Sequence, residues 1–193
     1  MGFLYHGQPP EMRGETLYPL NQLKLIDPAL YESGRARYKG REAVLEFRIP
    51  LIDVLWNDTV HLSTVHPYHL AAAWRDVGLW TPFWERPFFQ IPVDRVAAHP
   101  CVWFASESFW VNNSPNEDVP LAPPLEEFRL FDPTAYKEAD QAPESYYAYL
   151  GRQQRRGRPP LQFPKIPHVL VAGPIETAGL ALVRADAVPD PTT

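Results

Sequence analysis

Proline is the feature that most restricts how this chain can fold. The 193 residues include 23 prolines, against a usual frequency of about 5%. Because proline has a fixed φ and no backbone N–H, it interrupts helices and interior strands. These prolines are scattered along the chain instead of forming one tract, so they predict many short elements joined by rigid turns.

The rest of the composition predicts a folded domain with a substantial core. Hydrophobic residues make up 45% of the chain and aromatic residues 13%, which is enough to fill the interior of a domain of this length. We predict a single α+β domain over residues 1–185, with a central, mostly antiparallel and bent sheet and a few short helices. Residues 186–193 are predicted to form a flexible tail.

Local patterns place the elements of this domain. Alternation and short apolar runs predict strands over 3–7, 43–49, 87–92, 101–106, 128–131, 166–174 and 180–183. Helix-start and helix-stop signals predict helices from Asp27-Pro28 to Gly34 or Gly40, from Pro67 to Gly78, from Asp132-Pro133, and from 144 to 150 before Gly151. Polar and proline-rich residues predict a long surface loop over 112–124.

The densest group of chemically capable side chains lies between Trp56 and His69. This segment contains Asn57, Asp58, His61, Ser63, His66 and His69. For a site without a metal, we predict His61 as the proton-transfer group and Asp58 as the carboxylate that orients it. Asn57 and Ser63 are predicted to hydrogen-bond the ligand.

Two other readings of this segment stay open. In the first, Asp58, His61 and His66 bind a divalent metal of a hydrolase and leave one position for water. In the second, the same polar residues cap a helix that begins at His66 and Pro67 and brace the loop before it. The protein would then be a structural or protein-interaction domain and not an enzyme.

A second candidate site lies at the end of the first predicted strand, at His6 and Gly7. Glycine has no side chain, so a ligand could approach the backbone closely at this point. Arg13 and Tyr18 follow in the same segment. We predict His6 as a ligand-binding residue.

Arg41 and His168 are two further ligand-binding candidates. Arg41 lies between Gly40 and Glu42, and a guanidinium held there could clamp a phosphate or carboxylate with two N–H donors. The alternative for Arg41 is a surface ion pair worth at most about 1 kcal/mol. His168, near the start of a predicted strand, is expected to meet the same ligand as His6.

Three segments, Leu4–Gly7, Val102–Ser106 and Val169–Ile175, resemble strands of ADP-ribosyltransferase-like folds. The resemblance implies that His6 contacts a dinucleotide and that Ser106 or an aromatic residue lies next to it. It also implies an acid near the last strands that promotes cleavage of the glycosidic bond.

The chain departs from the pattern of those enzymes at this acid. His168 stands where they often carry a glutamate, and Glu176 comes only after the turn. The resemblance therefore implies the fold more directly than it implies transferase activity.

The chain also resembles a group of small bacterial proteins of similar length. The resemblance lies in the segments Thr16–Leu23, Gly40–Glu42, Ile49–Leu51, Trp56–His69 and Ile166–Leu170. It implies no particular reaction.

Net charge and the remaining motifs restrict the partners. A formal charge of −5 gives no overall attraction for nucleic acid. The basic run Arg152–Arg158 follows Tyr146, Tyr147 and Tyr149, and we predict a solvated loop there in preference to a nucleic-acid surface. The sequence contains no glycine-rich nucleotide fingerprint and no Walker loop, so it does not identify a cofactor. A small, nucleotide-like or phosphorylated ligand is the expected partner.

Cys101 is the single cysteine, which suits a reducing compartment. No apolar run approaches the roughly 20 residues that span a bilayer. We therefore expect a cytoplasmic protein that does not interact with membranes.

Overall fold

The computed structural model describes residues 2–40, 42–107 and 123–189. These residues form a single α+β domain with four helices and a seven-stranded sheet, which confirms the predicted fold class. The strands are β1 (Phe3–Gly7), β2 (Thr16–Leu17), β3 (Arg48–Ile49), β4 (Val54–Leu55), β5 (Thr59–Ser63), β6 (Pro87–Pro92), β7 (Cys101–Phe104), β8 (Phe128–Leu130), β9 (His168–Ala172), β10 (Ile175–Glu176) and β11 (Ala181–Arg184). The helices are α1 (Leu20–Ile26), α2 (Pro28–Ala36), α3 (Pro67–Asp76) and α4 (Glu144–Arg155).

The main sheet has the strand order β11-β6-β1-β5-β9-β7-β8, and each neighbouring pair is antiparallel. Strand β1 pairs with β6 over its whole length, from Phe3 to Gly7. Strand β5 pairs with β9 in the same way. Between β1 and β5, however, the register contains only the pair Tyr5–Ser63 within the described residues. The sheet therefore splits beyond this pair, at the carboxyl end of β1.

The core consists of three hydrophobic clusters on the two faces of this sheet. Side chains alternate between faces along a strand. One face carries a cluster that includes Leu4, Leu62 and Val171. The strand register places the other two clusters together on the opposite face, one beneath α3 and α4 around Phe88 and one around Phe104.

Helix α3 forms where the sequence predicts it. Leu70 and Trp74 are buried, and Gly78 follows the helix with a φ of +72°, a conformation that glycine adopts without strain. Helix α2 likewise begins at Pro28, and its N-cap Asp27 accepts a hydrogen bond from the backbone N–H of Leu30 at 3.1 Å.

The strand predicted over 43–49 is wrong except at its end. Residues Glu42–Glu46 form a 3₁₀ helix, and the strand is limited to Arg48–Ile49. A 3₁₀ turn places residues three apart on one side, so Val44 and Phe47 reach the same cluster without extended backbone. The alternating pattern predicts Leu45, Phe47 and Ile49 on one face, and the structure places Phe47 and Ile49 in this cluster but Val44 there instead of Leu45.

Two predicted helix boundaries also need correction. Asp132-Pro133 begins a turn and not a helix, because the Asp132 carboxylate accepts hydrogen bonds from Thr134 and Ala135. Helix α4 does not end at Gly151 but continues to Arg155, so much of the predicted basic loop is helical. Tyr146 and Tyr149 are buried in the core on this helix.

Helices α1 and α2 form a hairpin that contributes no fully buried residue. Leu25 is 90% exposed and Ile26 is 53% exposed. The hairpin therefore lies over the body of the domain without completing its core.

No helix in residues 2–40, 42–107 or 123–189 has both the length and the apolar character needed to cross a bilayer. Arg41, most of the loop predicted over 112–124 and the last four residues of the predicted tail lie outside the described residues.

Candidate functional site

A cavity of about 140 Å³ lies between the end of β1, the segment after it and the α1–α2 hairpin. We call it the His6 cavity. It is lined by His6, Pro9, Met12, Arg13, Thr16, Leu17, Tyr18, Leu23, Ile26, Asp27 and Leu30. The prediction grouped His6 with Arg13 and Tyr18, and the structure brings these three residues together around one hollow.

The His6 cavity is mainly apolar, with a few polar residues in its lining. Leu23, Ile26 and Leu30 supply the apolar wall from the hairpin. Two of the lining residues, Arg13 and Asp27, approach each other, with Nε and Oδ2 4.0 Å apart. The Arg13 side chain is 89% exposed, whereas that of Asp27 is 19% exposed, so this pair marks the side of the cavity that faces solvent.

His6 is a further polar residue that lines the cavity. Its Nδ1 atom is buried and has no hydrogen-bond partner among the described residues. A buried polar atom without a partner costs about 1–3 kcal/mol. A ligand that reached this nitrogen from the cavity would complete the missing hydrogen bond.

The electrostatic surroundings of His6 are basic. Burial lowers the pKa of His6 to about 4, so the imidazole is neutral at pH 7. The backbone of Gly7 opposes this shift. Interactions with His61, which is itself neutral at pH 7, and with the cations Arg86 and Arg37 add to it. A neutral imidazole offers one donor and one acceptor, while the cations around it favour a ligand that carries negative charge.

His61, Ser63 and His168 form a polar strip on the face of the sheet that carries α3 and α4. The register pairs Ser63 with His168 and places His61 opposite Leu170. This strip separates the Phe88 cluster from the Phe104 cluster. It lies beyond the walls of the His6 cavity, so the predicted site residues do not share one hollow.

Both histidines of the strip are held by backbone carbonyl groups. The Nε2 of His61 lies 3.1 Å from the carbonyl oxygen of Trp56, and the Nδ1 of His168 lies 2.7 Å from that of Ile166. A carbonyl can only accept, so the ring nitrogen donates in each case. Burial lowers the pKa of His61 to about 4 and that of His168 to about 3, and both rings are therefore neutral donors at pH 7.

The structure does not form the predicted pair of Asp58 with His61. One Asp58 oxygen accepts a hydrogen bond from the side chain of Asn21 at 2.7 Å, and the other accepts from the backbone N–H of Leu55 at 3.1 Å. Asp58 therefore fixes helix α1 to the turn before β5. The catalytic role of His61 remains a prediction, without the carboxylate that was expected to orient it.

The other polar residues of this segment are engaged locally. Ser63 donates to the carbonyl of Val65 and accepts from its backbone N–H. The Nδ1 of His66 accepts from the backbone N–H of Tyr68 at 3.1 Å, which confirms His66 at the N-cap of α3. Asn57 is 4% exposed in the turn before β5.

The set of metal ligands proposed for this segment does not assemble. Among the described residues, no group of three or more His, Cys, Asp or Glu side chains is arranged to hold a metal ion. Asp58 is used by Asn21 and Leu55, His61 by Trp56, and His66 by the helix it caps. The arrangement favours the bracing role of the segment over metal binding.

Sequence reasoning missed the hairpin side of the cavity. Leu23, Ile26 and Leu30 recur at spacings of three and four, as on one face of a helix, and this pattern was the available signal. Asp27 at the break between α1 and α2 hides the continuity of that apolar stripe. The contact between these residues and His6 depends on tertiary packing.

The chain matches no protein-family model, no curated protein sequence and no solved structure.

Proposed function

We propose that this protein binds a small, nucleotide-like molecule in the His6 cavity. The observation that carries the proposal is the buried Nδ1 atom of His6, which has no partner in the described chain and belongs to a residue that lines the largely apolar cavity. The ring of the ligand occupies the apolar part and hydrogen-bonds to this nitrogen.

The size of the cavity limits the part of the ligand that enters it. A cavity of about 150 Å³ in a protein core can hold a benzene molecule, and the His6 cavity has about 140 Å³. It therefore accepts one six-membered ring, such as a pyrimidine or a pyridine carboxamide. The rest of a nucleotide would lie outside it.

The chemistry of the wall supports a ring with polar edges. Leu23 and Leu30 can pack on the faces of the ring, while neutral His6 pairs with a donor or acceptor on its edge. The resemblance of Leu4–Gly7 to a strand of ADP-ribosyltransferase-like folds implies that His6 contacts a dinucleotide. It supports a dinucleotide as one member of the ligand class.

Thermal-shift and calorimetric titrations with nicotinamide, uridine monophosphate, adenosine monophosphate and NAD⁺ test this proposal. A ligand that binds the folded state at 100 times its Kd stabilises the protein by about 2.7 kcal/mol. We expect at least one of the four compounds to raise the Tm in a saturable manner. The proposal fails if none does.

Two variants test whether the ligand binds in the cavity. Leu30→Trp fills the hollow from the hairpin, and His6→Phe keeps an aromatic ring but removes the hydrogen bond. Both are expected to weaken binding by about tenfold or more. His99→Phe, which changes a partly exposed histidine that does not line the cavity, is the matched control and should bind as the unaltered protein does.

A further inference from the structure

Arg86 lies beside the end of β1, where Phe83 holds its side chain and Gly7 leaves room for it. Its Nε donates to the carbonyl oxygen of Phe83 at 3.2 Å, and its guanidinium carbon lies 3.7 Å from the centre of the Phe83 ring. Its Cδ lies 3.3 Å from the position that a Cβ on Gly7 would occupy. The absence of a side chain at Gly7 therefore makes room for the stem of Arg86.

No acid among the described residues neutralises the charge of this fixed guanidinium. In the described part of the chain, Arg86 has no carboxylate within 4.0 Å, and its two terminal nitrogens have no hydrogen-bond partner. Burial lowers the pKa of Arg86 to about 10, and the positive charge of Arg37 adds to this effect. A half-buried cation beside a second cation is unfavourable unless an anion accompanies it.

We propose that Arg86 is the anchor of an anion site at the end of β1, and that this site takes the phosphate group of the ligand. The inference rests on the proposed function, because it assigns the charged part of a molecule whose ring occupies the His6 cavity. Gly7 links the two places, since it follows His6 in β1 and borders Arg86.

The donor geometry explains why phosphate is the expected group. With Nε bound to a carbonyl oxygen, the terminal nitrogens of Arg86 form a planar pair of donors, which suits two oxygens of one phosphate. Fixing the side chain on Phe83 before binding reduces the entropy that would be lost when the phosphate arrives. Arg86 would then determine specificity for phosphorylated over unphosphorylated ligands.

Titration with inorganic phosphate and pyrophosphate, against sodium chloride at matched ionic strength, isolates this site from the cavity. We expect either anion to raise the Tm saturably, and Arg86→Gln to weaken that binding by about tenfold or more. Arg86→Lys keeps the charge but not the planar pair of donors, and should bind with intermediate affinity. Arg95→Gln removes an exposed arginine and should leave the titration unchanged.

The result that overturns the inference is a phosphate effect that is absent, equal to that of chloride, or unaltered in folded Arg86→Gln. If Arg86→Gln does not fold, the affinity of Arg86→Lys decides, and an unchanged affinity rejects the site. His6→Phe separates the two proposals: it should retain phosphate binding while losing nicotinamide or nucleoside binding. If phosphate binds through Arg86 but no ring compound binds, the proposed function fails and the anion site stands.

Discussion

The two histidine-bearing regions of this protein satisfy their polar groups in opposite ways. In the segment from Trp56 to His69, the side-chain hydrogen bonds are made to other groups of the same domain. His61, for example, bonds to the carbonyl oxygen of Trp56. At the end of β1, His6 buries a nitrogen that has no partner among the described residues. Asp58, His61, Ser63 and His66 in the first region hydrogen-bond within the fold, whereas the Nδ1 of His6 in the second region stays available for another molecule.

This difference shows that the number of chemically capable side chains does not by itself locate a site. The Trp56–His69 segment contains more of them than any other, yet its geometry is that of a brace between α1, β5 and α3. The region around His6 has fewer such groups, but it has a cavity and an unmet hydrogen bond. One change of pH and two substitutions test this difference between the two regions.

The largest expected effect is a loss of stability on acidification from pH 7 to pH 5. The pKa of His61 in the folded protein is about 4 and that of His168 about 3, both below the 6.5 of an unfolded chain. The unfolded state therefore binds more protons between pH 6.5 and pH 4, and stability falls as pH decreases through this window. Each histidine should contribute roughly 1–2 kcal/mol, measured by denaturant unfolding at the two pH values.

A single variant tests the source of this acid sensitivity. His168→Gln removes a titrating group from the strip and should make the pH dependence shallower. The unaltered protein, unfolded at the same two pH values, is the reference for this slope. An unaltered slope in His168→Gln would contradict the assignment of a buried, neutral His168.

Asp58→Ala should produce the next largest effect, with a loss of about 2 kcal/mol in the free energy of unfolding. The substitution removes the acceptor for Asn21 and for the backbone N–H of Leu55, and such unpaired groups cost about 1–3 kcal/mol. Asp94→Ala, at an exposed position, should change stability by less than about 0.5 kcal/mol. Equal values for the two variants would mean that Asp58 is not a brace.

The smallest effect, and the only one in the opposite direction, is expected for His6→Phe. Because the Nδ1 of His6 has no partner in the described chain, an apolar ring of similar shape should leave stability unchanged or raise it by up to about 1 kcal/mol. His168→Phe should lower it, since the carbonyl of Ile166 would lose its donor. Chemical unfolding at pH 7 measures both, and a clear loss in His6→Phe would place His6 among the bracing residues.

Local sequence signals predict where several elements of this fold begin. Asp27 with Pro28, and His66 with Pro67, are local cap signals, and both begin helices in the structure. Alternation predicted Leu45, Phe47 and Ile49 on the buried face, but the spacing of Val44 and Phe47 suits a 3₁₀ turn, and the structure buries Val44 in place of Leu45. Local chemistry therefore specifies where elements begin better than it specifies their type.

The candidate site was harder to predict from the sequence because its contacts join distant parts of the chain. His6 was predicted to bind a ligand, but the hairpin residues that close the cavity over it were not identified. Asp58 has a structural role because its carboxylate accepts a hydrogen bond from Asn21, which is 37 residues away in the sequence. For Arg86, only Phe83 is a neighbour in sequence, and its proximity to Gly7 and Arg37 comes from tertiary packing.

The most direct test of the account is a titration of ¹⁵N-histidine-labelled protein, followed by the imidazole nitrogen signals. The titrants are the four compounds of the binding panel. A ligand in the cavity should shift the Nδ1 signal of His6 saturably, because this nitrogen gains a hydrogen bond, while the signals of His168 stay in place. A compound that binds and shifts His61 or His168 but leaves His6 unchanged would contradict the assignment of the cavity as the binding site.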